Sequence, residues 1–182
     1  ALEHYLSVLQ DLPRDPSVHL RTGILQEQKG EQEQPLLHYK TASEAYPDSF
    51  RILFRRSIVT MNLLQEEESI RIHQKMIELR PEHALSLNNL AWMYLTAKDR
   101  SLRQPEKALE LALKSVELEA TIDHIDTLAE AYFQTGQTAK AIEILRKGVR
   151  EASYPKSRER YLEGQYRRFR KGDTTVSPPP VS

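Results

Sequence analysis

The sequence contains no cysteine, which excludes a disulfide framework, a thiolate zinc site and a cysteine nucleophile, and fits a reducing compartment such as the cytoplasm. It has no apolar run approaching the roughly 20 residues that a membrane span needs, and its first residues do not form a signal peptide. The chain therefore reads as soluble. It also lacks an excess of either charge. Lys+Arg and Asp+Glu both number 26 in 182 residues, so overall charge supplies no argument for nucleic acid or for an acidic substrate. A Gly-rich phosphate loop, G-x-S-x-G and H-E-x-x-H are all missing. Only one tryptophan is present, Trp92.

What the sequence has instead is recurrence. Leu90–Ala91 with Tyr94, followed by Ala108 and Ala112, returns as Leu128–Ala129 with Tyr132, followed by Gly136, Ala141 and Leu145. A small residue after a leucine and an aromatic three positions later build a helix face suited to close approach of a second helix. Pro13, Pro47 and Pro81 are spaced by 34 residues. Proline ends a helix, so this is a period of helix ends. Together these features resemble the tetratricopeptide repeat (TPR), a helix–turn–helix unit of 34 residues with the pattern W-x2-L-G-x2-Y, then Ala, an aromatic, Ala and Pro.

That resemblance implies an all-α fold, a right-handed superhelix of antiparallel helix pairs. Repeat one is expected over 16–49, repeat two over 50–83, repeat three over 84–121 and repeat four over 122–155. Repeat three carries an insertion, Lys98–Arg103, that lengthens its inter-helix turn. Ala1, Tyr5, Val8 and Pro13 match repeat positions 20, 24, 27 and 32, so residues 1–13 read as the second helix of a repeat whose first half precedes Ala1. On this reading the chain is a piece of a longer protein.

Repeat one has Thr22–Gly23 in place of Leu-Gly, Gly30 at the turn glycine, and Pro35 at the usual alanine, so its second helix is expected to start near Gln34. Repeat two departs furthest, with Arg56–Ser57 for Leu-Gly and Leu64 at the turn glycine. An array of repeats needs a terminal cap, because the last repeat has an apolar face with no neighbour. A basic helix over 156–171, with Tyr161, Leu162, Tyr166 and Phe169 at helical spacing, supplies it; Arg167, Arg168, Arg170 and Lys171 lie at its C-terminal end, where cations suit the dipole. Residues 172–182, with three consecutive prolines, are expected to be disordered.

Catalytic chemistry has little support in these residues. The nearest cluster is Asp123-His124-Ile125-Asp126, and on a helix 123 and 126 share a face while 124 points elsewhere. Three metal ligands do not converge there, and the alternative is carboxylates at a helix start. His73, at an aromatic slot without a second histidine nearby, reads as a packing residue. We expect no cofactor, no metal and no enzyme activity.

In the TPR family the first helix of each repeat lines a concave face through positions 2, 5, 9, 12 and 13. Carried over residue by residue, those positions imply a partner-binding groove that includes Arg51, Phe54, Asn62, Asn88, Trp92, Asp123, Asp126, Glu130 and Phe133. Arg55, four residues from Arg51, joins them as half of a clamp for a carboxylate. Leu20 and Ile24 stand where the chaperone adaptors of the family have polar clamp residues, so binding of chaperone tails is not expected. Trp92 reads equally as a groove hot spot or as packing between first helices.

The resemblance implies a scaffold that binds a peptide or helix of a partner protein. A second reading is a regulatory or positioning arm of a larger enzyme, for example a glycosyltransferase, whose catalytic part lies outside these residues. A third notes that Arg146–Lys171 carries ten Lys/Arg against three Asp/Glu and could touch nucleic acid or an anionic membrane; the alternative is a solvated helix face.

Overall fold

The computed structural model describes residues 1–31, 33–151 and 156–175. Among them the chain is all-α, with no strand. Pro155, the expected end of repeat four, and 176–182 of the expected disordered tail lie outside the described residues. The helices fall into two compact units, Ala1–Pro81 and Glu82–Ser182. The first holds α1 (Leu2–Asp11), the pair α2 (Pro16–Gln28) and α3 (Glu33–Ala45), and the pair α4 (Phe50–Asn62) and α5 (Glu66–Leu79). The second holds α6 (Ala84–Thr96) with α7 (Pro105–Leu118), α8 (Ile122–Gln134) with α9 (Thr138–Glu151), and α10 (Lys156–Lys171). No helix among the described residues is long and apolar enough to cross a membrane.

The helix starts follow from local chemistry. Asp15 caps α2 by accepting hydrogen bonds from the backbone N–H groups of Ser17 at 2.8 Å and Val18 at 3.0 Å, and Pro16 sits in the first turn, where its missing N–H costs nothing. Pro35 likewise falls in the first turn of α3, so the helix begins ahead of it at Glu33. Thr121 caps α8 by accepting from the His124 N–H. Glu66, Glu67 and Glu68 occupy the first turn of α5, beside the positive end of its dipole.

The short turns within α2–α3, α4–α5 and α8–α9 each use a left-handed residue, a conformation that glycine adopts without a steric cost. Gly30 (φ 81°) and Gly136 (φ 79°) serve the α2–α3 and α8–α9 turns. Leu64 performs the same task at φ 55° with a side chain attached. A left-handed L-residue costs about 1–2 kcal/mol, partly offset by the greater freedom that glycine loses on folding. Leu64 is exposed, so its removal forfeits little packing. Leu64→Gly is therefore expected to raise stability by about 0.5–1 kcal/mol, read from the denaturant midpoint. A lower midpoint would show that the Leu64 side chain contributes more than its backbone strain costs.

In the pairs α2–α3, α6–α7 and α8–α9, small residues set how closely the helices cross. Ala42, Ala91, Ala108, Ala112, Ala129 and Ala141 are each fully buried. Gly23 brings α2 onto α3 so tightly that a Cβ there would lie 2.6 Å from Cε1 of Tyr39. Polar groups inside these crossings are satisfied in part by backbone: the Ser115 hydroxyl of α7 donates to the Ala84 carbonyl at 3.0 Å, tying α7 to the start of α6. The insertion between α6 and α7 is also tied down. Asp99 caps a 3-10 turn at Arg100–Leu102, the Arg103 guanidinium donates to the Ala97 carbonyl at 2.7 Å, and the Gln104 N–H donates to the Tyr94 carbonyl at 3.0 Å.

Candidate functional site

The first helices α4, α6 and α8 carry every residue that the sequence nominates for partner binding, and the structure treats the three helices differently. On α4, Arg51 and Asn62 are exposed, while Phe54 is half-buried and stacked on Phe50 with ring centroids 6.5 Å apart. Arg55 does not stand free beside Arg51. Its guanidinium lies 3.5 Å from Glu27 of α2, whose carboxylate also accepts a hydrogen bond from Tyr39 of α3. Burial and this bond push the Tyr39 phenol well above its usual range. The two-arginine clamp is thus half committed inside the protein: Glu27 meets the charge of Arg55, whose side chain stays 40% exposed, and Arg51 is exposed beside it.

On α6, Trp92 is half-buried, and Asn88 is 7% exposed with its Oδ1 lacking a hydrogen-bond partner among the described residues. A buried amide oxygen without a donor loses about 1–3 kcal/mol of hydration, so Asn88 is an unsatisfied polar group beneath this helix face. Leu95, two turns on, is fully buried, and its carbonyl accepts from Gln134 of α8 at 3.2 Å. That contact places the C-terminal ends of α6 and α8 side by side.

The largest difference from the sequence reading is on α8. Asp123 is exposed, but Asp126, Glu130 and Phe133 are buried, at 2%, 1% and 7% exposure. They lie under α10 instead of on an open face. The Arg168 guanidinium of α10 is ion-paired with Glu130 and lies over the Phe133 and Phe169 rings, which stack with centroids 4.5 Å apart. The Tyr161 hydroxyl donates to Asp126 Oδ2 at 2.9 Å and is bonded in turn by Gln165, whose Oε1 accepts from Arg168 Nε at 2.7 Å. The sequence groups Arg168 with the cations at a helix C-terminus, yet it is only 8% exposed. The reason is geometric. Residues 161, 165, 168 and 169 fall on one stripe of α10, opposite 126, 130 and 133 on one stripe of α8.

Burial, chiefly, pushes the Asp126 carboxyl up to about 7, with Glu130 repelling its ionised form and the Tyr161 hydroxyl and Arg168 favouring it. Among the described residues those three are the ionisable groups that act on it; α6, packed on the other side of α8, carries no Asp, Glu, His, Lys or Arg. The sign follows from linkage. The carboxyl binds its proton more tightly in the folded state, so its favourable contribution is complete below the unfolded value of about 4 and is lost as pH rises toward about 7. We expect the stability of the wild type, relative to Asp126→Asn, to fall between about pH 4 and about pH 7 in urea titrations. Parallel curves for the two proteins would contradict this.

The Asp123–Asp126 cluster does not assemble a metal site in this arrangement. The His124 ring approaches the Glu119 carbonyl at 2.6 Å, and no group of three His, Asp or Glu that could hold a metal occurs among the described residues. His73 is buried with Nδ1 2.9 Å from the Ser69 carbonyl. Sequence reasoning misses a second buried histidine contact, His19 of α2 with His38 of α3, at 2.7 Å between Nδ1 atoms. His19 Nε2 faces the Pro13 carbonyl, which can only accept, so His38 is assigned as the donor between the rings. Burial, then repulsion from His19, holds the His38 imidazole below its usual value.

No protein-family model matches the sequence, and no curated protein matches it. Solved structures do. A thermophilic TPR protein from Thermus thermophilus aligns over 93% of this chain and 89% of its own, with TM-score 0.60 and 18% identity. MamA from Desulfovibrio magneticus RS-1 aligns over 82% of each chain, with TM-score 0.70 and 18% identity. YrrB, described as a TPR protein with an unusual peptide-binding site, aligns over 94% of this chain and 86% of its own, with TM-score 0.70 and 15% identity. At such identities the likeness carries the fold. The architecture of paired helices in this chain is that of the tetratricopeptide-repeat proteins.

Proposed function

We propose that this chain is a protein-interaction scaffold that holds a peptide or helix of a partner along its first helices, without catalysis of its own. The observation that carries the reading is on α6, where a half-exposed tryptophan adjoins a buried asparagine oxygen that lacks a donor. Tryptophan contributes large contact area at small entropic cost and is enriched at binding hot spots, and the asparagine offers an acceptor for a peptide N–H once a side-chain shift uncovers its oxygen. Arg51, Phe54 and Asn62 on α4, with Arg55 secondary because Glu27 shares its charge, form the contact set of the first unit; Asn88, Trp92 and Asp123 form that of the second. The peptide-binding site for which YrrB is described lends the reading support by fold alone.

The test is capture from a lysate of the native organism with wild type, Trp92→Ala and Arg51→Ala in parallel. Each variant is expected to weaken capture by about ten-fold or more; exposed Arg51→Ala should shift stability by less than about 0.5 kcal/mol and half-buried Trp92→Ala by about 1–2 kcal/mol. If Trp92→Ala lowers the melting temperature as a core cavity does, the ring is packing. If both variants retain full capture, the proposed contact set is wrong.

A further inference from the structure

The seam between α8 and α10 is built from the wrong material for a permanent cap. At the corresponding places on α6 the residues are Asn88, Trp92 and Leu95, none of them charged. On α8 they are Asp126, Glu130 and Phe133, and two carboxylates on successive turns are buried almost completely beneath α10. Burying an ion pair recovers little of its desolvation cost, and well-packed apolar residues of similar volume usually serve stability better. Asp126 Oδ1 has no hydrogen-bond partner among the described residues, so the polar network is incomplete even when α10 is in place. What the seam gains is selectivity. Glu130 accepts only a helix that brings a cation to it, the Phe133 ring adds an aromatic seat beside it, and Asp126 asks for a hydroxyl donor seven residues ahead of that cation.

The helix now filling this seat is suited to leaving it. Arg160, Glu163, Arg167, Arg170 and Lys171 of α10 are exposed, so the helix buries only one side. When it departs, Arg168, Glu130 and Asp126 recover hydration, which offsets part of what is lost as the Phe133–Phe169 stack opens and Leu162 and Phe169 leave the cluster with Ala129, Ala141 and Leu145. We propose that α10 is a displaceable occupant, and that the α8 face beneath it is a docking surface for a basic amphipathic helix of a partner protein. That helix carries an aromatic hydroxyl and an Arg-aromatic pair in the register of Tyr161, Arg168 and Phe169. An acidic face excludes phosphate backbones and anionic lipid, which leaves a cationic protein helix as the ligand. Neither Trp92 nor Arg51 takes part in the test of this seat, whose substitutions lie in α8 and α10 only.

The probe is a fluorescent synthetic peptide with the sequence of residues 156–173, titrated by anisotropy into the full chain. Wild type should bind it weakly because α10 already fills the seat. Arg168→Glu, which sets Glu against Glu130 and evicts α10, should bind it about ten-fold more tightly or better, since apparent affinity scales with the fraction of open seats. Glu130→Arg also evicts α10 but should reject the peptide. Equal affinity for all three chains, or none for Arg168→Glu while α8 and α9 stay protected from amide exchange, overturns the proposal. A reading on the unaltered protein guards against unfolding of the variants: α10 amides of wild type should exchange through openings that leave α8 and α9 protected. Exchange of all three helices in one step overturns it. So does a concentration-dependent dimer of Arg168→Glu, which would make a second copy the occupant.

Discussion

Truncating Tyr39 to alanine is expected to destabilise the protein by about 3–5 kcal/mol, the range for removing a fully buried aromatic ring. Tyr39 is 0% exposed and packs with Leu36 and Val59, with Leu20, Ile24 and Leu63 around them. Its ring also fills the space left by Gly23, and its hydroxyl donates to Glu27 at the end of α2. One side chain thus joins α2, α3 and α4. Tyr39→Phe keeps the ring and removes only the hydroxyl, so it should cost about 1–2 kcal/mol. Gly23→Ala attacks the same crossing from the other side by forcing its methyl group onto the ring, and an overpacking cost of about 1–3 kcal/mol is expected. Urea midpoints with unchanged m-values measure all three. A Tyr39→Ala midpoint within error of wild type would mean that α2 and α3 do not cross as described.

The second large effect is expected at Ala129, the fully buried small residue of α8 in the cluster with Phe133, Ala141, Leu145, Leu162 and Phe169. Leucine enlarges the side chain where α8 and α9 cross, against neighbours that are themselves buried. Overpacking of this kind costs about 1–3 kcal/mol and can exceed it where the backbone must separate. Amide exchange should show the loss concentrated in α8 and α9, because the alanine at 141 belongs to the same cluster and cannot shrink. A neutral Ala129→Leu would mean that the crossing lies elsewhere on α8. Neither variant touches Arg51 or Trp92, so both separate a folding defect from a binding one.

The helices are readable from the chain because their determinants are local. Asp15 before Pro16, the triple glutamate ahead of Ile70, and Gly30 and Gly136 after amphipathic stretches each act within one or two turns. Leu64 is readable as an oddity in the glycine slot, and its positive φ is the physical expression of that oddity. The alanines of the two helix pairs in the second unit are legible as crossing points, since only small residues let helices approach so closely. Gly23 stands in the small-residue slot, but the size of the ring opposite it cannot be inferred from spacing.

What the sequence determined by itself was an all-helical chain of paired helices, because periodicity, proline placement and caps are properties of neighbouring residues. The tertiary structure alone decided which polar side chains face water. Glu130 and Arg168 lie 38 residues apart, and Glu27 and Arg55 lie 28 apart. Nothing in the local pattern distinguishes a carboxylate that meets solvent from one that meets an arginine of a later helix. Burial of a charge depends on what another segment brings within a few ångströms of it, and that partner exists only once the helices have packed.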